Sequence, residues 1–232
     1  MKKIGLLGGM SWESSLEYYR IINEEVKKKL GGTHSAKCVL NSLEFAEIEM
    51  LQHQNKWDKL TELMVFEANN LKNAGADFIV ICTNTMHKMA SEIEETTSLH
   101  VLHIADTTGD AIKQADMNTV GLLGTRFTME GDFYKKRLKD TFDIKTLIPV
   151  ENDRQIIHYV IYQELVKGIL KEESRIQYLE IIDKLRREGA QGVILGCTEI
   201  PLLIKQDRSP VPIFDTTTIH AKAAVKYALM ES

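Results

Sequence analysis

The stretch that decides the fold is G-A-D-F-I-V-I-C-T-N-T at residues 75–85, because residues 189–199, G-A-Q-G-V-I-L-G-C-T-E, follow the same pattern. Aligned without a gap, the two stretches place Thr83 opposite Cys197, at an offset of 197 − 83 = 114. Each contains the short apolar run of a buried parallel strand, followed by small polar residues. The match predicts two similar half-chains, each presenting a proton-carrying side chain at a strand end.

Two further pairs of segments extend the repeat. G-L-L-G-G at residues 5–9 matches G-L-L-G-T at 121–125, and H-I-A-D-T-T at 103–108 matches P-I-F-D-T-T at 212–217. Three matches in one order and at nearly one spacing indicate a duplicated unit. Its period is the size of a domain, which is too long for a solenoid.

Strand-like and helix-like segments alternate along the 232 residues, which predicts parallel sheets with right-handed crossovers. We expect an α/β protein of two pseudo-symmetric lobes, each a parallel sheet flanked by helices, with the active site in the cleft between them. The expected lobes are residues 1–104 plus 214–232 for the first, and residues 105–213 for the second.

Local patterns predict several single elements. Ser11 is a typical N-cap for a helix that begins at Trp12. Residues 101–104 are expected to be strand-like, residues 128–141 to form one helix, and Gln52 to lie in a loop after the second strand.

Composition excludes several classes of function. Hydrophobic residues make up 44% and charged residues 27% of the chain, and the net charge is −4, without the basic stripe of a nucleic-acid-binding protein. No apolar run reaches the ~18 residues of a membrane span. The first residues lead into a strand rather than a signal peptide, and three cysteines without close pairing indicate free thiols. These features predict a cytoplasmic protein.

Cys197 is the strongest catalytic candidate. It lies at a strand end where a helical turn begins, and a helix N-terminus lowers a thiol pKa. The alternative is a buried, inert cysteine. Cys82 and Thr83 should point to opposite sides of their strand, so Cys82 is interpreted as structural, as is Cys38 in the second strand.

Other strand ends offer groups that could bind an anion. Gly8-Gly9-Met10-Ser11 could present amides to a ligand or could simply form a tight turn. The segments Thr83-Asn84-Thr85 and Thr198-Glu199 provide donors suited to a carboxylate, although capping of the next helix is the alternative. His87 could tune a nearby group or cap a helix. The histidine spacing predicts no metal site.

Five motifs in order resemble the aspartate/glutamate racemase family over essentially the whole chain. They are Gly8-Gly9-Met10-Ser11-Trp12-Glu13-Ser14, Cys82-Thr83-Asn84-Thr85-Met86-His87, Gly124-Thr125-Arg126-Phe127-Thr128-Met129, Gly196-Cys197-Thr198-Glu199 and Asp215-Thr216-Thr217. The resemblance implies amino-acid racemisation without pyridoxal phosphate or metal, an amino-acid substrate and a homodimer. It also implies a cysteine from each half, one on either side of the substrate α-carbon.

The chain departs from that family pattern at one position. Typical members have Cys-Asn-Thr in the first half, whereas here Thr83 precedes Asn84. This resembles an L-aspartate/glutamate-specific branch with a threonine and cysteine pair. Because a hydroxyl is a far poorer base than a thiol, we expect Cys197 to deprotonate one enantiomer well and Thr83 to support the other direction poorly.

The remaining site assignments concern substrate binding. The α-carboxylate and ammonium are expected to contact the amides around Met10 and Ser11 and the side chains of Asn84, Thr85, Thr125, Thr198 and Glu199. Gln52 and Lys167 are candidates for a distal carboxylate, or else solvated surface residues. Two rival classes remain open: a maleate isomerase or arylmalonate decarboxylase reaction on the same scaffold, and a binding protein without turnover.

Overall fold

The computed structural model describes residues 1–230, and the chain divides into two compact units. Unit 1 contains Met1–Ile104 and the described residues from His220 to Met230, and unit 2 contains Ala105–Ile219. The second boundary therefore falls after Ile219 and not after residue 213. The reason is that residues 213–215 form a strand of the unit 2 sheet, in which Phe214 pairs with Ile194.

Unit 1 is a three-stranded parallel sheet flanked by helices, with strand order β2-β1-β3. Its elements before the boundary are β1 (Ile4–Gly8), α1 (Trp12–Leu30), β2 (Cys38–Ser42), α2 (Phe45–His53), α3 (Trp57–Asn73), β3 (Phe78–Ile81), a 3₁₀ helix (Thr85–Met89) and α4 (Ala90–Thr97).

Unit 2 is a four-stranded parallel sheet flanked by helices, with strand order β5-β4-β6-β7. The elements from the first boundary onward are α5 (Ile104–Gln114), β4 (Thr119–Gly124), α6 (Arg126–Glu130), α7 (Asp132–Phe142), β5 (Lys145–Leu147), α8 (Glu151–Gln163), a 3₁₀ helix (Leu165–Lys167), α9 (Glu172–Arg187), β6 (Gly192–Gly196), α10 (Ile200–Leu203), β7 (Ile213–Asp215) and α11 (Thr216–Leu229). Helix α11 continues into unit 1 from His220.

The backbone repeats the pattern that the sequence predicts. In unit 1, Leu6 pairs with Val80, and in unit 2 the equivalent residues Leu122 and Ile194 pair in the same register. The turn before each of these strands is also the same. Gly75 and Gly189 both have positive φ, at 81° and 103°, which is a conformation that favours glycine. Each donates its N–H to the carbonyl three residues earlier, at 2.9 and 3.0 Å.

Two expected elements differ in the structure. Residues 101–104 do not form a strand: Val101 makes a single parallel bridge to Ile79, and α5 already begins at Ile104. The helix expected over residues 128–141 is divided into α6 and α7 by Gly131, whose backbone is extended. A Cβ at Gly131 would lie 2.6 Å from the Phe127 carbonyl oxygen, so a larger residue would not fit there.

The unit 1 sheet is buried on both faces, which fixes the direction of each β3 side chain. Ile79 and Ile81 pack with apolar residues of α2, α3 and α4. Phe78, Val80 and Cys82 face the opposite way and pack with α1 and α11. This alternation buries Cys82 in a core and brings Thr83 to the end of the strand.

Within residues 1–230, no helix is both long enough and apolar enough to cross a membrane.

Candidate functional site

Cys197, Thr198 and Glu199 form a compact hydrogen-bonded group at the end of β6 in unit 2. The Cys197 thiol donates to Glu199 Oε2 at 2.9 Å, and the Thr198 hydroxyl donates to the same oxygen at 2.8 Å. Cys197 is 9% exposed and Glu199 is 5% exposed. A buried carboxylate oxygen therefore lies within direct proton-transfer distance of the thiol.

The environment of Cys197 corrects the expectation of a thiol acidified by a helix N-terminus. Burial raises the pKa of Cys197 well above its ordinary value, and the negative charge and hydrogen bond of Glu199 raise it further. The helix that follows, α10, has only four residues and begins at Ile200. In this environment the resting group is a thiol that donates to Glu199, not a free thiolate.

Removing the charge of Glu199 provides a direct test of this arrangement. We expect Glu199→Gln to lower the pKa of Cys197, because a neutral amide still accepts a hydrogen bond but no longer opposes a thiolate by charge. The measurement is the rate of iodoacetamide alkylation against pH, in a background that carries Cys38→Ala and Cys82→Ala. The profile should move to lower pH in Glu199→Gln. An unmoved profile would show that Glu199 does not control the thiol.

Thr125 lies beside this group in the sheet. Gly124 pairs with Gly196 across β4 and β6, so Thr125 and Cys197 follow directly from paired residues at neighbouring strand ends. The Thr125 hydroxyl caps α6 by accepting the Thr128 N–H at 3.3 Å. Thr125 thus caps a helix at a strand end that neighbours the strand end of Cys197.

Thr83 occupies the equivalent place in unit 1, at the end of β3. Its side chain is half-buried, and within residues 1–230 its hydroxyl makes no hydrogen bond to the protein. The neighbouring Asn84 and Thr85 are buried, at 2% and 6% exposed, and lead into the 3₁₀ helix. In contrast to Cys197, Thr83 accepts or donates no hydrogen bond to a carboxylate among these described residues.

The turn after β1 is tightly determined in unit 1. Gly9 has φ +83°, and a Cβ there would lie 2.2 Å from the Leu43 carbonyl oxygen. Its N–H donates to Ser15 Oγ at 2.8 Å, and Ser11 caps α1, as predicted, by accepting the Ser14 N–H at 3.4 Å. Met10 and Ser11 are both buried. The Gly9 amide is thus engaged within the turn, which leaves that amide out of the expected anion site.

Gln52 and Lys167 have different environments. Gln52 lies in helix α2 and not in a loop, is 5% exposed, and directs its amide to Met86 Sδ at 3.6 Å. The spacing of apolar residues does not predict helix α2, because one of its three buried residues is this polar glutamine. Lys167 is exposed and bonds to Gln163 Oε1 at 2.8 Å, which matches the surface alternative for that residue.

Cys82 is fully buried in the core against α1 and α11. Burial raises its pKa far above the ordinary thiol value. This residue is therefore a neutral core thiol, and its neighbour Thr83 occupies the position equivalent to Cys197.

The buried Cys82 thiol gives a measurable pH dependence of stability. Above about pH 8.5 the unfolded thiol ionises, whereas the folded one keeps its proton, so the free energy of unfolding must fall as pH rises. From pH 8.5 to 9.5, one such thiol lowers the free energy of unfolding by about 1 kcal/mol. We expect urea unfolding to show that, over this interval, the free energy of unfolding of Cys82→Ala falls by about 1 kcal/mol less than that of wild type. Equal losses would mean that Cys82 ionises in the folded state.

Among residues 1–230, no cluster of three or more histidine, cysteine, aspartate or glutamate side chains is arranged to hold a metal ion.

Comparison with known proteins assigns the family. The family model described as Asp/Glu/Hydantoin racemase matches residues 7–224. The chain belongs to this family. A broad specificity amino-acid racemase of Bacillus subtilis (strain 168) is 24% identical to it, over 96% of each chain.

Two solved structures of the family superpose over nearly the whole chain. A Yersinia pestis protein, provisionally described as an Asp/Glu racemase, is 51% identical with a TM-score of 0.93, covering 99% of this chain and 100% of that one. An aspartate racemase homologue from Pyrococcus horikoshii OT3 is 31% identical with a TM-score of 0.85, at the same coverage. The α/β fold and the racemase family are thereby established for this chain.

Two residues near Thr83 have contacts that the sequence did not reveal. Ser14 Oγ donates to the Cys82 carbonyl at 2.7 Å, across 68 positions in the chain. His87 Nδ1 bonds to the Thr83 carbonyl at 2.7 Å. The family motif includes both residues, but no local pattern assigns a partner to the serine, because that partner comes from a distant strand.

Proposed function

We propose that this protein is a cofactor-independent racemase of aspartate and/or glutamate that works by two-sided proton transfer at the α-carbon. Cys197 and Thr83 are the two proton carriers, and each serves one face of that carbon. The observation that carries the proposal is the buried pair of Cys197 and Glu199 at a central strand end, with Thr83 at the repeat-equivalent position. The family membership supports the same reaction class.

The Cys197–Glu199 pair can both give and take a proton. With the proton on sulfur, the thiol can protonate a carbanion. When Glu199 accepts that proton over 2.9 Å, the resulting thiolate can remove an α-hydrogen. Because the pair carries one negative charge in either state, moving the proton between the two atoms creates no additional buried charge. A positioned acid–base pair of this kind typically contributes about 10²–10⁴-fold to the rate.

Thr83 is proposed to act on the other face. Its hydroxyl is intrinsically much less acidic than a thiol, and no carboxylate bonds to it within residues 1–230. The carrier on this face is thus the weaker of the two, and inversion should be limited by Thr83. The proposed preference for L-amino acids comes from the resemblance to the branch with a threonine and cysteine pair.

Substrate binding is proposed to use the polar groups near each strand end. Asn84 and Thr85 in unit 1, and Thr125 and Thr198 in unit 2, would donate to the carboxylates of an acidic amino acid. Glu199 would also attract its ammonium group. Met10, Ser11 and Gln52 are buried in unit 1 and complete the proposed set. A homodimer acting in the cytoplasm is part of the same proposal.

A substrate screen tests the proposal. The purified protein, treated with a metal chelator and without pyridoxal phosphate, would be incubated with single enantiomers of aspartate and glutamate, and with maleate and an arylmalonate. Chiral chromatography should show inversion of at least one acidic amino acid and no conversion of the other two compounds. Conversion of maleate or the arylmalonate alone would assign a different reaction, and binding of aspartate or glutamate without inversion would assign a binding protein.

A further inference from the structure

The two peptide groups on either side of Thr83 are each held by a side chain from elsewhere in unit 1. The Ser14 hydroxyl donates to the Cys82 carbonyl, which belongs to the peptide before Thr83, at 2.7 Å. The His87 ring bonds to the Thr83 carbonyl, which belongs to the peptide after it, at 2.7 Å. Because a carbonyl can only accept, Nδ1 of His87 must carry the hydrogen. Both donors are buried, at 3% and 2% exposed.

This arrangement determines where the Thr83 side chain points. Peptide groups are planar, so the orientations of the two planes around a residue set its φ and ψ and hence the direction of its Cα–Cβ bond. Threonine is β-branched and has few accessible χ1 rotamers. Holding both planes therefore restricts the position of the Thr83 hydroxyl more than either contact would alone.

The local helix geometry explains why a side chain is needed. The turn after Thr83 is a 3₁₀ helix, in which the His87 N–H bonds to the Asn84 carbonyl and not to the Thr83 carbonyl. The Thr83 carbonyl, four residues before His87, therefore lacks the backbone donor of an α-helix. The imidazole of the same residue supplies a donor instead.

The second copy of the repeat provides an internal comparison. The Cys197 carbonyl accepts the backbone N–H of Ile200 at 3.2 Å. The position equivalent to His87 is 87 + 114 = 201, which is Pro201 and has no donor. The contact of His87 with the Thr83 carbonyl is thus particular to the first copy, because Pro201 cannot make it in the second.

We propose that Ser14 and His87 are positioning residues for Thr83, and that they hold its hydroxyl for the half of the reaction that Thr83 carries. This inference rests on the proposed function, because it assigns the two residues to one of its two proton transfers. It predicts that their loss slows inversion, which needs both carriers. Loss of α-hydrogen from the enantiomer that Cys197 serves needs only Cys197 and should persist.

The experiment measures both rates in D2O for wild type, His87→Leu, His87→Asn and Ser14→Ala. NMR follows loss of the α-hydrogen, and chiral chromatography follows inversion. We expect His87→Leu and Ser14→Ala to slow inversion about tenfold or more, since small misplacements of reacting groups are costly. Exchange at the enantiomer served by Cys197 should stay within about twofold of wild type. An asparagine amide nitrogen replaces Nδ1, so His87→Asn should recover most of the inversion.

Tyr18→Phe is the matched control. The Tyr18 hydroxyl bonds to His220 Nδ1 at 2.8 Å, and the His220 ring lies 5.5 Å from that of His87, whereas the two carbonyls beside Thr83 are held by Ser14 and His87. Its removal disturbs the same buried region and should leave the ratio of inversion to exchange unchanged. Equal slowing of both rates in His87→Leu, slowing of neither, or the same altered ratio in Tyr18→Phe would overturn the proposal.

Crystal structures of the same variants supply a readout that needs no turnover. In His87→Leu and Ser14→Ala, a peptide plane beside Thr83 should rotate and the side chain should occupy more than one rotamer, whereas His87→Asn should keep the wild-type geometry. An unchanged Thr83 in both of the first two variants would contradict the positioning role. If wild type exchanged no acidic amino acid, the proposed function would fail, and the geometry of Thr83 would still decide whether the two residues position it. If His87→Leu does not fold, Ser14→Ala provides the same comparison.

Discussion

Cys197→Ala is expected to lower α-hydrogen exchange at the enantiomer of aspartate or glutamate that Cys197 serves by about 10³-fold, which is within the range for loss of a positioned acid–base group. Inversion should fall in both directions, because inversion requires both carriers. The alanine also leaves Glu199 without the thiol that donates to it. Proton NMR of the α-hydrogen in D2O measures the loss directly.

Cys82→Ala and Cys38→Ala are the matched controls for this result. Cys82 lies in the core of unit 1 and Cys38 in β2, and neither is assigned a role in the reaction. Both variants should keep exchange rates within about threefold of wild type, because their effects are confined to packing. Full activity in Cys197→Ala would contradict the assignment of Cys197 as the catalytic thiol. Loss of activity only in Cys82→Ala would assign that role to Cys82.

Thr83→Ala should separate two processes that wild type performs together. Without the hydroxyl, inversion is expected to fall by about 10²-fold or more. Exchange at the enantiomer that Cys197 serves should continue, because the Cys197–Glu199 pair can return a solvent-derived deuteron to the same face. The ratio of inversion to exchange, measured by chiral chromatography and NMR on one sample, is the diagnostic quantity.

Thr83→Cys is the complementary variant. A thiol carries protons better than a hydroxyl, so inversion should become about tenfold faster. Because two enantiomers have equal free energy, kcat/KM must rise by the same factor in both directions. The separate values of kcat and KM can still differ between the two enantiomers. If Thr83→Ala slowed exchange and inversion to the same extent, Thr83 would be needed for the fold or for binding and not as the second proton carrier.

The duplicated pattern predicted much of the fold because one set of backbone constraints recurs in it. Gly75 and Gly189 both require positive φ, and the strands that follow them bury apolar side chains on both faces. The repeat did not predict α2 or the division at Gly131. Helix α2 depends on the packing of the buried Gln52 against Met86. The division at Gly131 depends on the lack of room for a Cβ there. Neither effect can be read from the local sequence.

The candidate site was predictable in its residue types and less so in its chemistry. The strand-end position of Cys197 follows from the repeat. The direction of its pKa shift does not, because burial and the approach of Glu199 Oε2 outweigh the effect of a helix of only four residues. The contacts of Ser14 with the carbonyl of Cys82 likewise depend on residues that are distant in sequence.

The most direct test of two-sided proton transfer is the isotope content of the product that wild type forms in D2O. One enantiomer of aspartate or glutamate would be followed by NMR and chiral chromatography together, at early times. The account predicts that every inverted molecule carries deuterium at the α-carbon, because the second carrier delivers a solvent-derived deuteron to the opposite face. Inverted product that retains the original α-hydrogen would show that one group moves the same proton between faces, and would contradict the assignment of two carriers.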